Sequence, residues 1–213
     1  MIRRIHQFLE RNILLFGMTV LIVSLIGGLA QIVPIAFDKK FKEPAENLKP
    51  YTALELAGRD IYIREGCALC HSQQIRPLLG ETIRYGRNSR LNDSVYDYPF
   101  LWGSKRTGPD LSRLYGKYSE NWQRIHLTAP TKVVPDSIMP AYPWLEVNDL
   151  QNSIPDIEAR MNTLRILGVP YTDEEIKNAP SEIKDKTELD AVVAYLMSLG
   201  RFITEQNTIE AQQ

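Results

Sequence analysis

Cys67 and Cys70 stand two residues apart, and His71 follows at once, so residues 67–71 read CALCH. Two thiols at this spacing can add to the two vinyl groups of a haem, and the adjacent histidine then lies under the iron as an axial ligand. The pattern therefore predicts covalent attachment of one c-type haem through Cys67 and Cys70, with His71 as a ligand of the haem iron.

Two other uses of a Cys-x-x-Cys pair are less well supported. A thioredoxin-like redox pair belongs in a βαβ unit, which the surrounding sequence does not resemble. A zinc site needs two further ligands, and His6 precedes a long apolar segment while His126 alone remains. The chain has 2 cysteines in total, which excludes a disulfide framework.

The second axial ligand must come from a short inventory of 3 histidines and 5 methionines. Met139 lies in a proline-rich, non-helical stretch, residues 134–143, where a stiff backbone can present a thioether to iron. Met161 and Met197 fall in helical patterns and are expected to fill the core. His126 is the rival, on a short helix that Ser119 begins. We favour Met139, because axial methionine raises the potential of c-type cytochromes.

A helix must deliver the cysteines to the site. Thr52 and Glu55 have the spacing of a capping box, apolar residues follow at helical intervals, and Gly66 ends the pattern just before Cys67. The haem turn is therefore expected at the carboxyl end of this helix.

A second helix closes the domain. Thr187 and Asp190 form another capping box, one apolar face follows, and Gly200 stops the helix. Each of the two helices has a single apolar face, so we expect them to pack on each other, with Gly58 and Tyr195 suited to a close crossing.

Near the amino terminus, residues 12–37 carry no charge, and residues 13–30 are almost entirely apolar. About 20 residues at about 1.5 Å each span a hydrocarbon core of about 30 Å, so the segment is predicted to cross a membrane. A cleaved signal peptide is the alternative, but the apolar run is longer than the usual signal core. Arg3, Arg4 and Arg11 place the amino terminus in the cytoplasm.

The predicted organisation has five parts. A cytoplasmic amino terminus (1–12) precedes the transmembrane helix (13–37), a polar linker (38–50), a periplasmic haem domain (51–203) and a tail (204–213).

The chain of 213 residues has 25 basic and 26 acidic side chains. This balance argues against a nucleic-acid partner. The near-neutral total conceals two segments of opposite net charge. Residues 72–107 hold six basic and three acidic side chains, whereas residues 146–190 hold eleven acidic and five basic. We expect the basic segment to face a protein partner and the acidic segment to face solvent.

Three segments carry a specific resemblance: residues 58–77 (GRDxYxxEGCxxCHSQxIRP), 96–111 (YDxPFxWGSKRTGPDL) and 133–145 (VVPxSxMPAYPWL). Together with the amino-terminal anchor, they resemble the mono-haem cytochrome c subunit of cbb₃-type cytochrome c oxidase. The resemblance implies a mostly α fold, in which a transmembrane helix precedes a class I cytochrome c-like domain with insertions.

The same resemblance implies partners and a location. The subunit would receive electrons from a donor cytochrome and pass them to a haem-copper catalytic subunit, beside a di-haem cytochrome c subunit, in the bacterial inner membrane. It would have no catalytic site of its own.

The resemblance also suggests roles for further residues. The carbonyl oxygen of Pro109 would accept a hydrogen bond from the His71 ring, which would fix the ring and strengthen it as an iron ligand. Arg76, Trp102 and Arg106 are candidate contacts of the haem propionates or of a partner subunit. Ser104 lies where the family has an interface calcium ion, which prefers oxygen ligands.

Two alternative functions share the haem. The chain could be a free-standing, membrane-anchored electron carrier, or a haem sensor in which a ligand displaces Met139. The long insertions favour a permanent interface over a transient carrier, and a sensor would be expected to have an output domain.

Overall fold

The computed structural model describes residues 2–37 and 43–204. The chain divides into two compact units, with the boundary between Glu43 and Pro44. This boundary falls inside the predicted linker, of which residues 38–42 lie outside the described residues. The predicted tail (204–213) also lies outside them, apart from Thr204.

The N-terminal unit (residues 1–43) contains two helices, α1 (Ile2–Arg11) and α2 (Ile13–Phe37). Within α2, the 22 residues from Ile13 to Pro34 are long and apolar enough to cross a membrane. At about 1.5 Å per residue they span about 33 Å, close to the thickness of a hydrocarbon core. The predicted N-terminal apolar helix is confirmed.

The C-terminal unit (residues 44–213) is built from helices and irregular connections. Its helices are α3 (Ala53–Arg64), α4 (Leu79–Tyr85), α5 (Glu120–Thr128), α6 (Trp144–Val147), α7 (Leu150–Ser153), α8 (Ile157–Ile166), α9 (Asp173–Ile183) and α10 (Glu188–Ser198). Short 3₁₀ turns occur at Cys67–Leu69, Leu91–Ser94 and Pro130–Lys132. The mostly helical fold expected from the sequence is confirmed.

The helices begin where the sequence predicts. The Thr52 side chain accepts the amide of Glu55, whose carboxylate accepts the Thr52 amide at 2.9 Å, which completes the capping box of α3. Thr187 and Asp190 make the same reciprocal pair at the start of α10, at 2.8 Å. These bonds satisfy amides that the first turn of a helix leaves without partners.

The close approach of α3 and α10 is the centre of the core. Gly58 and Tyr195 lie at the crossing, as predicted, and a Cβ atom on Gly58 would overlap the backbone carbonyl of Ala191. The ring of Tyr195 contacts Tyr51 and Tyr62 edge to face, with centroids 5.5 and 5.4 Å apart. Aromatic pairs in this arrangement add to the stability that their burial provides.

The remaining helices extend this core. Ile157 and Met161 of α8, and Ala179 and Ile183 of α9, are almost completely buried. Met161 is therefore core filler, as expected for a methionine in a helical pattern. The Arg160 guanidinium bonds to Asp60 at 2.7 Å and links α8 to α3.

The crossing gives a first prediction. Replacing Gly58 with alanine should destabilise the C-terminal unit by about 2 kcal/mol, because the methyl group meets backbone that cannot rotate away. Unfolding of the full chain in detergent by urea, followed by tryptophan fluorescence, measures this change, since Trp102, Trp122 and Trp144 all lie in this unit.

Gly80→Ala is the matched control. Gly80 is also helical, and a Cβ there meets no atom within 4 Å. Its free energy of unfolding should change by less than about 1 kcal/mol. Equal stability of the Gly58 and Gly80 variants would contradict the close crossing.

Candidate functional site

The Cys-x-x-Cys-His motif lies on a tight turn at the end of α3. Gly66 adopts φ +73°, a left-handed conformation that glycine accepts without strain, and the chain then enters the 3₁₀ turn Cys67–Leu69. The His71 amide donates to the Cys67 carbonyl at 2.9 Å. Cys67, Cys70 and His71 are thereby held on one short, hydrogen-bonded segment.

The two thiols differ in environment. Cys67 is partly buried and Cys70 is exposed. Burial, with a smaller contribution from the negative charge of Glu65, raises the pKa of the Cys67 thiol to about 12. A reactive redox cysteine requires a lowered pKa, so this environment argues against a thioredoxin-like pair.

A second segment, residues 108–112, runs alongside the segment that carries His71. The Gly108 amide donates to the Cys70 carbonyl at 2.9 Å, and the Leu111 amide to the Ser72 carbonyl at 3.0 Å. Between them, Nδ1 of His71 lies 2.8 Å from the Pro109 carbonyl oxygen. This is hydrogen-bond geometry, and it directs the other ring nitrogen, Nε2, away from the segment.

Gly108 packs against the face of the His71 ring. A Cβ atom at this position would overlap three atoms of the imidazole. The site therefore requires glycine here for steric reasons, whatever the backbone conformation.

Beside His71 lies a cavity of about 400 Å³. Cys67, Cys70, His71, Pro109 and Met139 all line it, so the structure brings these five predicted site residues together. Much of the remaining wall is apolar and comes from α3, α5, α10 and the segment 107–114, including Leu111, Leu114, Leu127, Val192 and Leu196.

Met139 reaches the cavity from an irregular loop. The Met139 amide donates to the Ser137 hydroxyl at 3.2 Å, and the Tyr142 amide donates to the Leu127 carbonyl at 2.9 Å, which fixes the loop to α5. The side chain is half-buried and packs against the core. These two hydrogen bonds, together with the prolines on both sides of Met139, restrain the loop.

His126 lines the same cavity. Its ring stacks on Trp122, with centroids 4.6 Å apart, and Trp122 stacks on Tyr118 at 4.0 Å. Burial, and secondly the charge of nearby His71, lower the pKa of His126. Location in the cavity therefore does not discriminate between Met139 and His126 as the second ligand.

Sequence reasoning missed two polar residues of the cavity wall, Tyr62 and Gln123. Both are almost completely buried, and Oη of Tyr62, Nε2 of Gln123 and Nδ1 of His126 have no hydrogen-bond partner among the described residues. A buried polar atom without a partner costs about 1–3 kcal/mol, so such atoms indicate a ligand with polar groups. Tyr62 belongs to the motif of residues 58–77, but the spacing of neither residue distinguishes a cavity wall from an ordinary helix face.

This lining fits a haem. The apolar wall suits a flat hydrophobic ring, the cysteine thiols and His71 lie on one edge, and the unpartnered polar atoms suit carboxylate groups. The residues present therefore agree with the cofactor that the motif predicts.

Arg76, Trp102 and Arg106 are not brought to the cavity wall. Arg76 Nε donates to Glu81 at 2.6 Å, and Arg106 donates to Glu81 and to the Gln74 carbonyl at 2.7 and 2.8 Å. The hydrogen bonds from Arg76 lower the pKa of Glu81 to about 2. The two arginines therefore brace the segment that follows the haem motif.

The other two predicted residues lie on the same insertion. Trp102 donates from Nε1 to the Ser94 hydroxyl at 3.2 Å and stacks on Phe100 at 5.3 Å. Ser104 is exposed. Both are placed where a partner could contact them, and neither lines the cavity.

Comparison with known families agrees with this geometry. Residues 6–188 match the family described as the mono-haem subunit of cytochrome c oxidase, FixO, which is well over half of the chain. A search of curated proteins found no match. The chain therefore belongs to the mono-haem subunit family of cytochrome c oxidase, whose description implies one haem, a role in electron transport and partner subunits in the same complex.

Proposed function

We propose that this chain is the membrane-anchored cytochrome c subunit of a cbb₃-type oxidase, and that it passes electrons from a donor cytochrome to the haem-copper catalytic subunit. The observation that carries the proposal is the cavity that gathers Cys67, Cys70, His71 and Met139. When bound, a haem supplies a one-electron redox couple that none of these side chains has on its own.

The chain's own residues hold and shield that group. Cys67 and Cys70 would hold it through thioether bonds, and His71 would ligate the iron through Nε2 while Nδ1–H donates to the Pro109 carbonyl. This hydrogen bond fixes the ring and makes it a stronger donor to the metal. The apolar wall excludes water, which stabilises the less charged, reduced state and raises the potential.

Met139 is the proposed second iron ligand. It lies on a loop fixed at both ends, whereas His126 is held in a stack with Trp122 and Tyr118. The stack restrains the His126 ring, whereas the Met139 thioether lines the cavity on a flexible, unbranched side chain. Met/His ligation also gives the higher potential that delivery of electrons to an oxidase requires.

The anchor and the charges complete the proposal. The apolar helix α2 holds the chain in the bacterial inner membrane, with the amino terminus cytoplasmic and the domain 51–203 periplasmic. The basic insertion, residues 72–107, faces the catalytic subunit, where Trp102 is available for contact and Ser104 contributes to a calcium site, while Arg106 is engaged with Glu81 and the Gln74 carbonyl. A di-haem cytochrome c subunit belongs to the same complex.

The family match supports the oxidase subunit over a free-standing carrier, which remains the alternative. Both would have the same anchor, haem site and ligands. They differ in whether the chain is bound permanently to an oxygen-reducing complex.

The second-ligand assignment gives a prediction. Met139→Ala should abolish the near-red absorption band that methionine sulfur gives to ferric haem, and should lower the midpoint potential. His126→Phe keeps the aromatic stack and should retain the band. Absorption spectra and redox titrations of both purified variants measure this. A wild-type spectrum without the band, or a Met139 variant that keeps it, would contradict the assignment.

The contact of Gly108 with the His71 ring gives a further prediction. Gly108→Ala should displace the imidazole from Pro109 and weaken the bond from His71 to iron, because its methyl group needs the space of the ring. Hyperfine-shifted ¹H NMR signals of the His71 ring in the ferric protein report this change.

Gly103→Ala serves as the control for Gly108. A Cβ there approaches no atom closer than 3.6 Å, which is ordinary contact, although it lies beside Ala68 and Ser72 of the same turn. Its spectrum should match the wild type. A Gly108 variant with an unchanged spectrum would refute the steric role.

Native purification tests the proposed function itself. An affinity tag on this chain should recover a complex that reduces oxygen with cytochrome c as donor, and deletion of the chain should abolish that activity. Recovery of the haem-loaded chain alone under mild detergent, with full oxidase activity elsewhere, would favour the free-standing carrier.

A further inference from the structure

Asp110 is a carboxylate buried beside the histidine of the haem motif. The residue is 4% exposed and its side chain is completely enclosed. It follows Pro109, whose carbonyl oxygen holds the His71 ring. A buried carboxylate is unfavourable unless hydrogen bonds satisfy its oxygens, so Asp110 depends on its hydrogen-bond donors.

The two oxygens of Asp110 accept hydrogen bonds from opposite directions. Oδ2 accepts the Ser72 hydroxyl at 2.7 Å and the Gln74 amide at 2.9 Å. Oδ1 accepts the Ser112 amide at 2.9 Å and also the Ser112 hydroxyl. Arg106 lies 3.9 Å from Oδ2 and provides a counter-charge.

These bonds join the two segments on either side of His71. Ser72 and Gln74 follow the histidine directly, while Ser112 belongs to the segment that presents Pro109. The Asp110 amide also donates to the Tyr85 hydroxyl at 3.3 Å, which connects the same residue to α4. Asp110 therefore fixes the distance and register between the His71 ring and its acceptor.

We infer that Asp110 is a positioning residue for His71: its carboxylate holds segment 72–74 against segment 108–112 and so keeps the hydrogen bond from Nδ1 to Pro109 closed. The inference rests on the proposed role of His71 as an iron ligand. Asparagine cannot replace the carboxylate, because its NH₂ group would face donors on whichever side it lies.

The readout is the exchange of the His71 Nδ1 proton with solvent, measured by NMR on the full chain in detergent, with its histidines labelled with ¹⁵N and the haem reduced. An unaltered domain protects this proton as long as the bond to Pro109 is closed. In Asp110→Asn, exchange should be at least about ten-fold faster than in the wild type.

Asp93→Asn is the matched control. Asp93 is similarly buried and accepts two hydrogen bonds from Arg87 at 2.8 Å. In the described part of the chain its hydrogen bonds reach neither segment 72–74 nor segment 108–112, although it lies 3.8 Å from Arg113, just beyond the second. This variant should lose stability and keep wild-type exchange at His71. Faster exchange in both variants by the same factor would show a general loosening and would overturn the positioning role.

Ser72→Ala keeps the test decisive where the Asp110 variant does not fold. It removes one hydroxyl donor to Asp110 without introducing a new group, and should accelerate exchange by a smaller factor, about three-fold. Wild-type exchange in a folded Ser72→Ala or Asp110→Asn protein would refute the inference. A wild-type protein in which the His71 ring resonances lack the large upfield shift of a ring held against reduced haem would instead refute the proposed ligation.

Discussion

At Gly58 the backbones of α3 and α10 come so close that no side chain fits between them. This contact fixes the axis of α3 against the core, and with it the point at which Arg64 ends the helix and Gly66 begins the haem turn. Because α10 also supplies Val192 and Leu196 to the cavity wall, this one crossing sets the positions of both the cysteines and the wall that they face. The geometry of the cofactor site is thus inherited from helix packing.

Two kinds of constraint act on His71 within that frame. Its backbone is fixed locally, by the turn that begins at Gly66. Its ring is fixed by a segment almost forty residues away, through Gly108 on its face and the Pro109 carbonyl on Nδ1. As the proposed iron ligand, a ring held from both sides would have little freedom to reorganise when the charge of the iron changes, which would favour fast electron transfer.

Sequence alone predicts the features of this arrangement that depend on a few residues close together along the chain. Capping boxes at Thr52 and Thr187 indicate where two helices begin. The Cys-x-x-Cys-His pattern is recognisable because all its residues lie within five consecutive positions. Met139 is predicted to face the site because prolines restrict its loop, and it does line the cavity. In contrast, Gln123 and Tyr62 line the cavity only because α5 and α3 meet there, and their spacing along the chain gives no sign of it.

The arginines of the basic insertion show how pairing changes a charge count. Arg76 and Arg106 share Glu81, and Arg87 bonds to Asp93, so these side chains stabilise the insertion. Arg84, Arg90 and Lys105 are exposed and carry the net positive charge of the segment to the surface. Any electrostatic attraction of a partner then depends mainly on these three cations, and weakens with ionic strength, while Arg76 and Arg106 hold the segment that follows His71 through Glu81 and the Gln74 carbonyl.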